Sequence, residues 1–177
     1  MLLSMIMDAQ ALFSQEAGKN ILGCEVGYLV RPFGFKDPYS WSVGGGVFYE
    51  RHVLFPHFPL YAGGSLSYYG FYPIEQDYKS SFMVKAGLYL GYDFVIKINN
   101  SFTLALAPFA GYSHYWREFV FKDEMFRANR SVIITGVNVN LFIDSHLLIG
   151  LSAGIDLLLE NNPLFTFSQT ERLGWRF

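Results

Sequence analysis

From residue 22 to the end, the chain is written in short runs in which every second side chain is large and apolar. Leu22, Cys24, Val26, Tyr28 and Val30 alternate with Gly23, Glu25, Gly27, Leu29 and Arg31. Trp41, Val43, Val47 and Tyr49 alternate with Ser42, Gly44, Gly46 and Glu50. The pattern recurs over 60–69, 82–94, 102–113, 136–143, 147–157 and 165–176. Successive side chains of a strand point to opposite faces, so a period of two predicts a sheet with two unlike faces. The fourth run is the most regular, with Phe82, Val84, Ala86, Leu88, Leu90, Tyr92 and Phe94 set against Met83, Lys85, Gly87, Tyr89, Gly91 and Asp93. Val132, Ile133 and Ile134 carry no directional signal.

Turn-forming stretches separate the runs at 32–40, 51–59, 73–79, Asn99-Asn100, 119–129, Asp144-Ser145 and Asn161-Asn162-Pro163, with 119–129 read as the longest loop. Pro108 has no N–H and predicts a bulge or bend within its strand. Eight runs of about ten residues match the length a tilted strand needs to cross a bilayer. The expectation is an all-β fold, an antiparallel up-and-down eight-stranded transmembrane β-barrel, with side chains filling its narrow interior.

Composition decides which face looks out. Hydrophobic residues make up 51% of the 177 residues, charged residues 16% and aromatics 19%. No run of 18 apolar residues is present, so the hydrophobicity is carried by alternation rather than by a membrane helix. A soluble eight-stranded barrel of the lipocalin kind has its apolar side chains inside. Here the compact and charged residues fit the crowded interior, and the bulky set fits acyl chains. In water such an outer band would aggregate. Tyr28, Trp41, Tyr49, Tyr68, Tyr92, Phe94, Tyr112, Trp175 and Phe177 fall near strand ends, as interfacial aromatic girdles do.

Residues 1–19 read as a residual or truncated signal segment, with a short apolar run at 2–7 and the A-x-A pattern Ala9-Gln10-Ala11, and residues 20–177 as the barrel. Ile21-Leu22-Gly23-Cys24 lacks the preceding apolar stretch of a lipoprotein signal, so Cys24 is read as an outward strand residue. The net charge of −2, without a basic tract, gives no support for nucleic-acid binding.

The predicted inward charges are Glu25, Arg31, Glu50, Lys85, Asp93, Asp156, Arg172 and Arg176. Buried charges must pair or meet water, so the set is expected to form a lumen charge network that rigidifies the barrel, in preference to an ion or proton relay. Closure sets the first strand beside the last, and Glu25 is expected within salt-bridge reach of Arg172. Parity also turns Gln169 and Glu171 outward, which predicts a bulge, a partner or an interfacial position there.

The chain ends Glu171-Arg172-Leu173-Gly174-Trp175-Arg176-Phe177, and Thr170, Trp175 and Phe177 match the polar and two hydrophobic positions of the outer-membrane insertion signal. Arg172 stands where Gly is usual. On these residues and the strand pattern, 20–177 resembles the small bacterial outer-membrane barrels, the OmpX-like, OmpW-like and OmpA-barrel group. The resemblance implies residence in a bacterial outer membrane, contact with its lipid, and insertion by the barrel-assembly machinery. It implies no cofactor. The function expected is non-enzymatic: structural, surface-interacting or small-solute passage. One alternative is a lipid A acyl hydrolase or acyltransferase using Ser113, His114, Ser145 or His146, for which adjacent residues on opposite strand faces are poorly placed. Another is a subunit of a larger envelope assembly, with the partner at the eighth strand. His52 and His57 flank Pro56 without Cys or clustered carboxylates, so no metal site is expected.

Overall fold

The computed structural model describes residues 20–30, 41–52, 59–72, 78–158 and 164–177. They form nine strands: β1 (Asn20–Val30), β2 (Trp41–His52), β3 (Leu60–Phe71), β4 (Tyr78–Tyr92), β5 (Phe94–Lys97), β6 (Phe102–Phe121), β7 (Glu124–Ile143), β8 (Leu147–Leu158) and β9 (Leu164–Arg176). Neighbours pair in the order β4-β3-β2-β1-β9-β8-β7-β6-β5, and β4 also pairs with β6. That last pairing closes the sheet. β5 continues the line of β4 along β6, so nine strands make an eight-staved antiparallel barrel.

The interruption between β4 and β5 falls at Asp93 and corrects the reading of 82–94 as one strand. Pairing with β6 stops at Gly91↔Phe109 and resumes at Phe94↔Leu106. Ala107 and Pro108 lie opposite the gap, and Pro108 has no N–H to offer. The β6–β7 ladder runs through Pro108↔Val137 without a shift. Proline therefore breaks the neighbouring strand instead of bulging its own.

Other boundaries also move. The expected loop 119–129 is a β-hairpin: β6 and β7 pair up to Phe121↔Glu124, with Lys122 and Asp123 at φ 46° and 68°. The β7–β8 hairpin turns over three residues, 144–146, between Ile143 and Leu147, with Asp144 and Ser145 at φ 49° and 63°. Two left-handed central residues suit the twist of flanking strands. β2 continues past Glu50 to His52, and β4 starts at Tyr78, inside the stretch read as loop. Arg31, His57 and the segment 1–19 lie outside the described residues.

The bulky face looks out. Leu88 and Leu90 are 71% and 61% exposed, whereas Ala105 and Ala107 are fully buried on the other face. Leu151 is exposed, and half-buried Ile155 shares its side. The undirected run resolves with Val132 and Ile134 buried and Ile133 exposed. The girdle residues Tyr28, Trp41, Tyr49, Tyr68, Phe94, Tyr112, Trp175 and Phe177 are exposed. Trp41 stacks on Tyr72 at 4.9 Å and Tyr68 on Phe82 at 5.9 Å.

Inside, two apolar layers fill the ends. Near the termini, Ile21, Phe48, Val95, Ala105, Phe142 and Leu148 pack together. Toward the long hairpin, Leu29, Tyr69, Phe71, Met83, Tyr115, Val132, Ile134 and Leu158 form a second cluster. Asn20 N–H donates to Phe177 O at 3.1 Å, tying the chain's C-terminal end to β1.

Candidate functional site

Polar side chains share the interior with the two apolar clusters, and alternation places each of them. On β2, Phe48, Glu50 and His52 share the inner face. On β9, Thr170, Arg172, Gly174 and Arg176 do. Arg172 and Glu50 pair at 2.6 Å, each almost wholly buried. Arg172 also donates to Asn140 Oδ1 at 3.3 Å and lies over the Phe48 ring at 3.9 Å. Tyr89 donates its hydroxyl to Glu50 Oε1 at 3.0 Å. His52 reaches Glu50 through Nε2 at 3.2 Å and Asp93 through Nδ1 at 2.5 Å. Both ring nitrogens face carboxylate oxygens, so the ring that satisfies both is the doubly protonated one.

A second group sits farther up. Lys85 Nζ contacts both oxygens of Asp156, at 3.1 and 2.9 Å, and the Tyr115 hydroxyl donates to the same carboxylate. Ser67 donates to Glu25 at 2.6 Å. Glu25, Glu50, Asp93 and Asp156 thus share the interior with Lys85, Arg172, Arg176 and His52.

Glu25 and Arg172 are direct register partners on β1 and β9, as expected from closure. Among the described residues, however, the ion pair of Arg172 is with Glu50 on β2, one stave beyond β1, and Glu25 is held by Ser67. The interior is narrow enough for a long side chain to reach beyond its neighbour. His52 was missed because β2 was ended at Glu50; residue 52 shares the parity of residue 50, which was the available signal. Parity puts Tyr89 on the inner face but not in the charge network, and Tyr61 is given no face, because a large inward aromatic breaks the expected division of large residues outside and small ones inside. They fit only because glycine stands opposite: a Cβ on Gly91 would lie 2.3 Å from the Tyr61 ring, and one on Gly63 would lie 2.4 Å from the Tyr89 ring.

A cavity of about 50 Å³ remains among Glu25, Lys85, Asn138, Asp156, Thr170 and Arg172. That volume holds a few waters and no larger solute. Among the described residues no set of three His, Cys, Asp or Glu side chains gathers to hold a metal.

The residues weighed for acyl chemistry separate. Ser113 is buried, facing inward, and donates to Ala86 O at 2.9 Å. His114 faces out and meets Ser131 Oγ at 3.0 Å, and His146 stacks on Trp175 at 5.5 Å. Thr170 is buried, while Trp175 and Phe177 are exposed on the outer face. The ladders of β9 with β8 and with β1 run without a shift, so no bulge turns Gln169 or Glu171 inward. Both remain exposed on the lipid-facing side.

No family model matches the chain, and no curated sequence matches it. Solved structures do. The N-terminal β-barrel domain of Pseudomonas aeruginosa OprF is 14% identical with a TM-score of 0.60, over 92% of this chain and 100% of that one. Ail, the attachment invasion locus protein of Yersinia pestis, is 14% identical with a TM-score of 0.57, over 89% of this chain and 96% of that one. Neisserial surface protein A is 8% identical with a TM-score of 0.58, over 92% and 100%. At such identities the likeness is one of fold. With the apolar exterior, it makes this chain a small eight-staved barrel of the bacterial outer-membrane type.

Proposed function

We propose that this protein is a sealed, non-enzymatic outer-membrane barrel that works by surface contact through its β6–β7 hairpin. The observation that carries this is the contrast between a closed interior and a projecting rim. Apolar clusters pack toward both ends of the lumen, and the ion pairs Arg172–Glu50 and Lys85–Asp156 occupy the interior with them. β7 pairs with β8 only as far as Val132↔Leu158, yet β6 and β7 continue together to Phe121↔Glu124. β7 therefore runs about eight residues, roughly 25 Å of strand, past its last described partner on β8, while β4 accompanies β6 as far as Tyr78↔Phe121.

In even-stranded outer-membrane barrels the termini and short turns face the periplasm and the longer excursions face outward. The hairpin lies at the end opposite the termini, so it takes the outer side. Its rim carries Trp116, Met125 and Phe126 exposed, with Arg127 paired to Glu118 at 2.7 Å. Phe119 and Phe126 stack at 5.4 Å, and Arg117 lies over Phe71 at 4.5 Å. Cations presented beside aromatic rings suit polyanionic sugars. Ail has been crystallised with the heparin analogue sucrose octasulfate, and a sulfated glycan is the ligand class we assign to this rim. Insertion through the barrel-assembly machinery, guided by Thr170, Trp175 and Phe177, belongs to the same reading.

The test uses the full chain in lipid nanodiscs over immobilised heparin, beside a variant whose strands are joined at Trp116 and Asn129 by a short turn. Retention of the intact chain and its loss in the shortened variant support the proposal. Equal retention of both, or of neither, removes the hairpin role. Stepwise single-channel conductance in planar bilayers would contradict the sealed lumen.

A further inference from the structure

The lipid-facing side of β9 carries one residue that the surface role does not use. Glu171 lies four residues from Phe167 and four from Trp175 on the same outward face. On a strand tilted by about 40°, four residues climb roughly 10 Å. Glu171 thus sits about midway between the two girdles, near the centre of the apolar band. Its register partners are Val26 and Leu151, both exposed to lipid. Among the described outward-facing residues, the other charges are Arg51 at the end of β2 and Glu118 and Arg127 on the projecting hairpin. No described residue donates a hydrogen bond to the Glu171 carboxylate. An ionisable side chain at this depth is unfavourable unless a partner meets it.

Next to it, Gln169 accepts the Tyr28 hydroxyl through Oε1 at 2.6 Å. Its amide N–H₂ group points away from that bond with two donors to offer. One patch therefore holds an acceptor lacking a donor and a donor lacking an acceptor. A groove of about 570 Å³ runs alongside, walled by Cys24, Val26, Val139, Ile149, Leu151 and Leu173.

We propose that this face is the contact between two copies of the chain in the membrane, with Gln169 of each copy donating to Glu171 of the other. A two-fold interface presents the same patch on both sides and requires it to be self-complementary. The Gln169–Glu171 pair meets that requirement without a cation, and no described Lys or Arg faces lipid at that depth. Two lipid-exposed polar groups on each copy are satisfied together, and the apolar walls of the two grooves pack on one another. The association is independent of the rim, so loss of glycan binding would leave it standing.

The test uses the full chain in phosphatidylethanolamine–phosphatidylglycerol vesicles and in detergent micelles. Sedimentation equilibrium is expected to give a reversible two-chain species. Glu171→Leu and Gln169→Leu are each expected to weaken the association at least roughly tenfold, the size of one or two hydrogen bonds in lipid. Leu88→Ala, on the far side of the barrel, is expected to leave it unchanged. Both β9 variants should keep the heat-modifiable gel shift of a folded barrel, since each removes a polar group from lipid. A single-chain mass at every protein-to-lipid ratio overturns the proposal. So does a two-chain species indifferent to both substitutions, or a different protein co-extracted in equal amount from native membranes and released by Glu171→Leu.

Discussion

Replacing Arg172 by Met probes what holds the barrel interior together. Met keeps most of the side-chain volume, so the change removes charge without opening a large cavity. Removing one member of a buried ion pair costs about 3–5 kcal/mol, because the remaining charge stays buried and uncompensated. Here Glu50 retains His52 at 3.2 Å and the Tyr89 hydroxyl at 3.0 Å, so the lower end of that range applies. Loss of the guanidinium from the Phe48 ring, 3.9 Å away, adds about 1 kcal/mol. The expected destabilisation is about 3–4 kcal/mol. The double variant Glu50→Met with Arg172→Met removes both charges and should be less destabilised than either single variant. Urea unfolding in lipid vesicles, followed by tryptophan fluorescence, measures all three. The reasoning is refuted if Arg172→Met lies within about 0.5 kcal/mol of the parent, the usual range of a neutral surface change. It is equally refuted if the double variant loses as much as the two singles added together.

Three further outcomes follow from the packing. Gly91→Val should abolish the heat-modifiable shift, because the added carbons enter the space of the Tyr61 ring; Gly70→Ala, whose Cβ has 3.9 Å of clearance, should not. Phe48→Ala should lower unfolding stability by about 3–5 kcal/mol, read from the same urea titration, by emptying the layer near the termini. Cys24 faces lipid, where its thiol stays un-ionised, so a maleimide should label it in vesicles only after urea unfolding, and ready labelling of the folded protein would place the residue in water.

The barrel was legible because its signal is local and repeated. Leu88, Leu90 and Leu151 fall on one parity with Gly and Ser between them, and that alternation specifies both strand and outward face. The positions of Glu50, Lys85, Asp93, Asp156, Arg172 and Arg176 on the inner face follow from the same parity. Boundaries were less legible. Lys122, Asp123, Glu124 and Arg127 look like a loop because they are polar. They are strand and turn because a hairpin standing in water needs no apolar face. Glu171 was placed outward by parity, but only the unbroken ladders on both sides of β9 excluded a bulge.

The sequence by itself determined the period of two, the unlike faces and the inward charges, since each depends on near neighbours along the strand. The tertiary structure alone decided who pairs with whom. Glu25 and Arg172 are neighbours by register, yet the guanidinium passes β1 to reach Glu50 on β2, because strand tilt in a narrow bore brings second-neighbour staves within one side-chain length. Likewise Tyr61 and Tyr89 could enter a lumen expected to hold small residues only where Gly91 and Gly63 arrive opposite them. That meeting is fixed by the stagger of strands around the ring, which no single strand encodes.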